Sequence, residues 1–178
     1  ERVDVANLNG DRLFLGIDSG STTTKIVLID EQERVAFEYY VNNKCDAIGA
    51  VQQGLNEAYQ HFSEHGKTPQ ITRSMVTGYG EDLIRAAFGL DDGMVETLAH
   101  FRAAKAFDKD VSFIMDIGGQ DMKAIFVKDG FIQDIKINEA CSSGCGSFIE
   151  SFARNMGYTA AGFAKEATSG ESPCDLGT

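Results

Sequence analysis

A hairpin pattern that occurs twice is the feature that most constrains how this chain can fold. Residues 13–30 read LFLGIDSGSTTTKIVLID and residues 111–128 read VSFIMDIGGQDMKAIFVK, each an apolar strand, a turn of small residues and a second apolar strand. In both copies an Asp ends the first strand, a Gly follows two positions later, and a Lys stands seven positions after the Asp. These residues are Asp18, Gly20 and Lys25 in the first copy and Asp116, Gly118 and Lys123 in the second. We interpret the agreement as an internal structural repeat.

The chemistry of the two turns predicts that they bind phosphate. In a P-loop or a Rossmann turn the loop leads into a helix, whereas here it leads back into a strand. A Gly at the tip lets a ligand approach the backbone closely, and the exposed N–H groups form an anion-binding nest. Ser21, Thr22 and Thr23 add hydroxyl donors, and Asp18 beside a phosphate requires a cation, for which Mg²⁺ held through water is the natural choice.

Two such hairpins facing one another would hold a polyphosphate from both sides. The alternative is that Gly-Ser and Gly-Gly serve only as favourable hairpin turns. The repeated Asp and Lys favour phosphate binding, because a purely structural turn does not require them.

Composition and charge narrow the class of ligand and partner. The 178 residues carry a formal net charge of −11, which disfavours non-specific binding to nucleic acid. An acidic protein can still bind a nucleotide through backbone N–H groups and a metal ion. No apolar run approaches the roughly 20 residues that span a bilayer, and the N-terminus lacks the apolar segment of a signal peptide. We therefore expect a cytoplasmic protein without a nucleic-acid or membrane partner.

The order of predicted elements is that of an α/β domain. Further strands are predicted at residues 33–41 and 71–78, and helices at 47–62, 81–88 and 96–107, the first of them with Ile48, Val51, Leu55 and Tyr59 near helical spacing. We expect residues 1–11 to form an N-terminal extension and residues 12–178 to form one nucleotide-binding domain. The absence of an initiator Met and of a closing element suggests a piece of a longer protein, truncated before a second ATPase half.

The histidines have no clear partner in the sequence. His61 and His65 stand one helical turn apart, but no acidic residue or cysteine nearby offers a third metal ligand. His100, in the helix predicted at 96–107, is expected to be a packed or solvent-facing residue rather than a ligand, because the sequence offers it no obvious partner.

Four motifs together resemble one family. GIDSGSTTTK (16–25), VTGYGED (76–82), MDIGGQDMKAI (115–125) and NEACSSGCGSFIE (138–150) are similar, in this order, to motifs of the ATPase component that activates 2-hydroxyacyl-CoA dehydratases and benzoyl-CoA reductases. That family belongs to the actin, Hsp70 and hexokinase-like superfamily. The resemblance implies an RNase H-like, actin-like ATPase fold with a mixed sheet and flanking helices, of which this chain is one half, and ATP or ADP bound with Mg²⁺ between two similar halves.

The resemblance also assigns the residues of the two loops. The first phosphate loop would consist of Asp18, Gly20, Ser21, Thr22, Thr23 and Lys25, with Asp18 also serving the metal. The second loop would consist of Asp116, Gly118, Gly119 and Gln120. Gln120 or Asp116 would position the attacking water by orientation and electrostatics.

Members of the family are homodimers that share one 4Fe-4S cluster, and each subunit supplies two cysteines. The first of these matches Cys141. A helix predicted to begin near Ser143 would favour the thiolate that iron needs, because the positive end of a helix dipole stabilises it. Cys174 is a weak candidate for the second ligand, since its context differs from that of the family. Cys145 is expected to be a small residue of the helix start or a reserve thiol, with a disulfide to Cys141 as the third interpretation.

These features predict an ATP-dependent electron donor. It would take electrons from reduced ferredoxin or flavodoxin and pass them at low potential to a 2-hydroxyacyl-CoA dehydratase or a benzoyl-CoA reductase-type enzyme. The first alternative is a sugar kinase of the same superfamily, with Asp82 as the candidate general base. The others are a non-catalytic nucleotide-binding scaffold and a zinc-binding module that uses Cys141 and Cys145.

Overall fold

The chain forms two compact units. The computed structural model describes residues 1–8, 10, 12–138 and 144–172. The first unit comprises Glu1–Ala99 and the second His100–Thr178, so the predicted domain of residues 12–178 contains parts of both.

The predicted strands and helices are present with small shifts at their ends. The first unit contains the strands β1 (Leu13–Ser19), β2 (Thr23–Ile29), β3 (Val35–Asn42), β4 (Ile71–Thr77) and β5 (Asp92–Gly93), and the helices α1 (Ala47–Glu64) and α2 (Glu81–Phe88). Helix α3 (Glu96–Phe107) crosses the boundary between the units. The second unit contains β6 (Phe113–Ile117), β7 (Met122–Lys128), β8 (Phe131–Asn138), α4 (Gly146–Asn155) and α5 (Ala160–Ala167). Among the helices of the described ranges, none has the length and apolar character of a membrane span.

The first unit is built on one mixed sheet with the strand order β3-β2-β1-β4-β5. Strands β1, β2 and β3 form an antiparallel meander, whereas β4 runs parallel to both β1 and β5. Helix α1 connects β3 to β4, as a parallel crossover requires. The predicted α/β class with a mixed sheet is therefore confirmed.

The core of the first unit lies between this sheet and α1. Alternate residues of β1 are buried, among them Leu13, Leu15 and Ile17, because successive side chains of a strand point to opposite faces. The N-terminal segment, predicted as an extension, contributes Val5 and Leu8 to the same core cluster.

Helix α1 turns only part of the predicted apolar spacing to the core, where Val51 is buried and Leu55 is partly buried. Ile48 and Tyr59 are 40% and 47% exposed, whereas the residues buried along α1 are Ala50, Val51, Gly54, Ala58 and Phe62. A Cβ added at Gly54 would lie 2.6 Å from the side chains of both Ile26 and Tyr39. At Gly54 the helix therefore lies too close to the sheet for a larger side chain.

The second unit repeats the antiparallel half of the first. Its sheet has the order β6-β7-β8, with both pairs antiparallel. Asp116 is paired across the ladder with Lys123, as Asp18 is with Lys25 in the first unit. The predicted internal repeat is thus confirmed down to the register of its strands.

The turn between β2 and β3 is organised by the buried carboxylate of Asp30. Its Oδ1 accepts hydrogen bonds from the N–H groups of Gln32 and Arg34 at 3.0 and 2.9 Å, and its Oδ2 lies 2.6 Å from Arg34 Nη2. Burial alone would raise the pKa of Asp30. The hydrogen bonds from Arg34 and Gln32 and the guanidinium charge outweigh burial, so the pKa lies below its ordinary value.

We expect Asp30→Asn to destabilise the protein by about 1–3 kcal/mol near neutral pH, because the charged hydrogen bonds to Arg34 are lost. A carboxylate whose folded pKa is lowered stabilises the fold above its unfolded pKa, and this contribution disappears as the pH falls through the folded pKa. Urea unfolding at several pH values should therefore show a difference from the wild type that shrinks below about pH 4. The control is Glu31→Gln, which changes a neighbouring carboxylate that lies 3.8 Å from Arg12 on the surface. A difference that stayed constant down to about pH 3 would contradict this account.

Candidate functional site

The first candidate site is the hairpin that joins β1 and β2. Asp18 and Lys25 face each other at its base, with Lys25 Nζ 2.7 Å from Asp18 Oδ2. The other carboxylate oxygen, Asp18 Oδ1, is buried and accepts no hydrogen bond from any residue that the structure describes. An unpaired buried carboxylate oxygen is costly, and a cation or a water molecule would relieve that cost. Ser21 and Thr22, at the tip of the hairpin, are exposed.

Asn43 holds the tip of this hairpin from the end of β3. Its side-chain amide donates a hydrogen bond to the carbonyl oxygen of Gly20, and its backbone N–H donates to the carbonyl oxygen of Thr22, both at 2.9 Å. Asn43 is only 5% exposed, so these bonds are shielded from water. The sequence analysis misses this residue, because its only local signal is an Asn-Asn pair after a strand.

The Gly78-Tyr79-Gly80 turn after β4 lies directly against the first hairpin. The N–H of Gly80 donates to the carbonyl oxygen of Ser19 at 2.9 Å. Gly78 has a φ of 95°, and a Cβ at this position would lie 2.6 Å from Ser19 O and 2.8 Å from Asp18 Oδ1. Only glycine allows this approach, so the VTGYGED motif supports the first loop. Asp82, the candidate base of a sugar kinase, is exposed in the first turn of α2.

The second candidate site is the hairpin that joins β6 and β7. Lys123 is buried, and its Nζ lies 2.9 Å from Asp121 Oδ2 and 3.8 Å from Asp116 Oδ2. His100, on α3, places Nδ1 2.9 Å from the same Asp116 Oδ2. His100 is therefore a packed residue, as one of the two predicted alternatives has it, and its neighbour is Asp116. The tertiary structure brings α3 to the end of β6, which no local pattern in the sequence reveals.

The first turn of α4 is bonded to the tip of the second hairpin. The N–H groups of Gly146 and Ser147 donate to the carbonyl oxygens of Gly118 and Gly119 at 2.8 and 3.0 Å, and Ser147 Oγ also donates to Gly119 O. A Cβ at Gly146 would lie 3.1 Å from Gly118 O, so a glycine allows the close contact. Gln120 is exposed beside these glycines.

The cysteines divide into two groups. Cys145 is buried and is the N-cap residue of α4, which begins at Gly146 rather than near Ser143 as predicted. Cys45 is exposed, with a φ of 67°. Cys141 and Cys174, and with them the predicted cluster ligands, lie outside the described residues.

The pair His61 and His65 does not form a metal site of the expected kind. His65 Nδ1 lies 2.9 Å from the carbonyl oxygen of His61, one turn earlier in α1. Within the described ranges, no third metal-binding side chain joins the two rings.

Comparison with known proteins gives a consistent result. Residues 15–170 match the model of the BadF/BadG/BcrA/BcrD ATPase family. The (R)-2-hydroxyglutaryl-CoA dehydratase activating ATPase of Acidaminococcus fermentans is 29% identical over 141 residues, which cover 78% of this chain and 52% of that protein. The activator of lactoyl-CoA dehydratase of Anaerotignum propionicum is 31% identical over 146 residues, which cover 82% of this chain and 54% of that protein. The chain thus spans about half the length of the curated relatives it matches.

A solved structure shows the same fold. The activator of the 2-hydroxyisocaproyl-CoA dehydratase from Clostridium difficile, with bound ADPNP, superposes with a TM-score of 0.77 at 22% identity. The match covers 93% of this chain and 60% of that one.

The contact between Gly78 and the first hairpin can be tested with a matched pair of glycines. Gly78→Ala should lower the free energy of unfolding by about 2–4 kcal/mol, because the new methyl group meets Ser19 and Asp18 in addition to the strain of a positive φ. Gly89→Ala is the control: Gly89 also has a positive φ, of 62°, but has no atom within 4 Å of an added Cβ. It should cost only about 1–2 kcal/mol. Equal losses in urea unfolding would show that Gly78 makes no close contact.

Proposed function

Because the chain belongs to the BadF/BadG/BcrA/BcrD ATPase family, we propose that it is part of an ATP-dependent activator of an acyl-CoA dehydratase or reductase. The activator would couple ATP hydrolysis to the transfer of a low-potential electron. The partner enzyme would be a 2-hydroxyacyl-CoA dehydratase or a benzoyl-CoA reductase-type enzyme, and the electron source reduced ferredoxin or flavodoxin. The observation that carries the proposal is the bonding of the second hairpin to α4, since it links a phosphate loop to the segment that bears the cysteines.

The first hairpin fits the binding of a metal-nucleotide complex. Asp18 offers a buried oxygen without a described partner, and Mg²⁺ prefers oxygen ligands, often through water. Lys25 would place its ammonium group near the phosphates of ATP or ADP. Gly20, Ser21, Thr22 and Thr23 would supply backbone and hydroxyl donors for the same phosphates.

The second hairpin would provide the hydrolytic step. Gly118 and Gly119 would contact phosphate through the backbone, and Asp116 or Gln120 would orient the attacking water. Phosphoryl transfer needs positioning and charge stabilisation rather than a covalent intermediate, so these side chains suffice without a nucleophile.

The redox group would be a 4Fe-4S cluster that bridges a homodimer, with two cysteines from each subunit. We propose Cys141 as one ligand, because it stands in the NEACSSGCGSFIE motif at the position that the family resemblance assigns to a cluster cysteine. Bound, the cluster would store the electron that is transferred. A change at Gly118 or Gly119 on ATP hydrolysis would reach this segment through Gly146 and Ser147, whose N–H groups bond those glycines directly.

Anaerobic reconstitution of the full-length protein tests the redox assignment. We expect one four-iron cluster per dimer, its loss in Cys141→Ser, and its retention in the control Cys45→Ser. We also expect ATP to accelerate electron transfer to a low-potential acceptor. Iron without an effect of nucleotide would refute the coupling. Sugar-dependent release of ADP, lost in Asp82→Asn, would instead establish the kinase alternative.

The bond between Ser147 and Gly119 provides a separate test of coupling. Ser147→Ala removes a hydrogen bond worth about 1 kcal/mol, so the acceleration of electron transfer by ATP should fall roughly fivefold while ATP hydrolysis continues. Ser151→Ala is the matched control, since Ser151 is exposed on the same helix. Identical behaviour of the two variants in stopped-flow electron transfer would show that the Ser147 side chain takes no part in the coupling.

A further inference from the structure

The aspartates of the two repeated hairpins have different neighbours. In the first, the cross-strand Lys25 lies 2.7 Å from Asp18. In the second, the equivalent Lys123 lies 3.8 Å from Asp116 and is closer to Asp121, at 2.9 Å. Five positions after the repeated Asp, the first hairpin has Thr23 and the second has Asp121. The acidic residue therefore draws the lysine away from Asp116.

His100 lies closer to Asp116 than Lys123 does. Its Nδ1 lies 2.9 Å from Asp116 Oδ2; both atoms are buried, and neither has a hydrogen-bond partner among the described residues, so the two side chains are in close contact without hydrogen-bond geometry. Both side chains are largely covered, with 31% of His100 and 17% of Asp116 exposed. Both residues belong to the second unit, where their contact links α3 to the end of β6.

We propose that His100 is a positioning residue for Asp116 in the hydrolysis of ATP, a role that rests on the proposed function. An imidazole offers a nitrogen in a fixed plane, whereas an ammonium group is a point charge on a flexible stem. The side chain of His100 packs against Oδ2 and limits rotation of the carboxylate, and we expect the other oxygen to keep one orientation toward the attacking water. Small errors in such an orientation are costly in rate, because catalysis by positioning depends on near-attack geometry.

The same contact has a purely structural interpretation, in which His100 only ties α3 to the second sheet. A matched control exists on the same helix. Lys105 donates a hydrogen bond from Nζ to the carbonyl oxygen of Gly130 at 3.1 Å, and so also ties α3 to a strand connection of this unit. Among the described residues, no hydrogen bond or ion pair joins Lys105 to Asp116.

Steady-state ATP hydrolysis by the full-length protein tests the proposal. His100→Ala should lower kcat about 10- to 100-fold and change KM for ATP less than about threefold, because orientation rather than nucleotide binding is lost. His100→Asn, whose amide N–H can replace Nδ1, should recover part of kcat. Lys105→Ala should keep the wild-type kcat. The double variant with Asp116→Ala should be no slower than Asp116→Ala alone, since His100 acts only through Asp116.

The contrary outcomes are distinct from one another. An unchanged kcat in folded His100→Ala, or additive losses in the double variant, would overturn the role of His100 and leave the ATPase function intact. Equal losses of kcat in His100→Ala and Lys105→Ala, with equal losses of thermal stability, would show a structural tie only. Absence of hydrolysis by the wild-type protein would refute the proposed function and the role of His100 with it.

Discussion

The antiparallel register between an Asp-ended strand and a Lys-bearing strand is the constraint on which both candidate sites depend. It pairs Asp18 with Lys25 and Asp116 with Lys123. Side chains of a strand alternate between two faces, so a slip of one residue would turn each aspartate to the opposite face and expose the buried residues beside it. The burial of Leu13, Leu15 and Ile17 on β1 therefore fixes the side on which Asp18 lies. One strand register therefore sets both the side of the sheet on which Asp18 lies and the burial of the core residues.

In the first unit, backbone contacts hold the loop in place. The amide of Asn43 bonds the Gly20 carbonyl oxygen, and the turn at Gly78 and Gly80 packs on Ser19. Each of these contacts needs a small residue or a short amide, because larger side chains would separate the segments. Such a loop is preorganised, and a ligand that binds it does not have to order it first.

In the second unit, the loop is linked to the neighbouring helices. Its glycine carbonyl oxygens accept hydrogen bonds from the start of α4, and its aspartate contacts a histidine of α3. Carbonyl groups that accept bonds from a helix terminus also satisfy N–H groups that the helix itself leaves unpaired. Movement of the loop would leave those groups without partners, and the helix would be expected to follow. The same hairpin pattern is thus held by Asn43 and a glycine turn in the first unit, and is in contact with α3 and α4 in the second.

Much of this protein follows from local sequence. The apolar runs on either side of a small-residue turn predict the hairpin strands, the bounds of α2 and α3 agree with the structure, and the repeated Asp and Lys predict the internal repeat. These features depend on residues a few positions apart, where periodicity and turn chemistry act directly. The sequence also carries the four motifs by which the family is recognised.

The tertiary structure alone decided the partners of the loops and the inward face of α1. Asn43 and Gly20 are 23 positions apart, and the sequence around neither residue indicates their hydrogen bond. Of the predicted spacing on α1, Val51 and Leu55 lie toward the core, whereas Ile48 and Tyr59 are exposed, and close packing places Gly54 against Ile26 and Tyr39. The contact between His100 and Asp116 likewise depends on how α3 packs beside β6. Contacts of this kind depend on where whole elements pack, and that position is the sum of many weak interactions that no single segment of sequence contains.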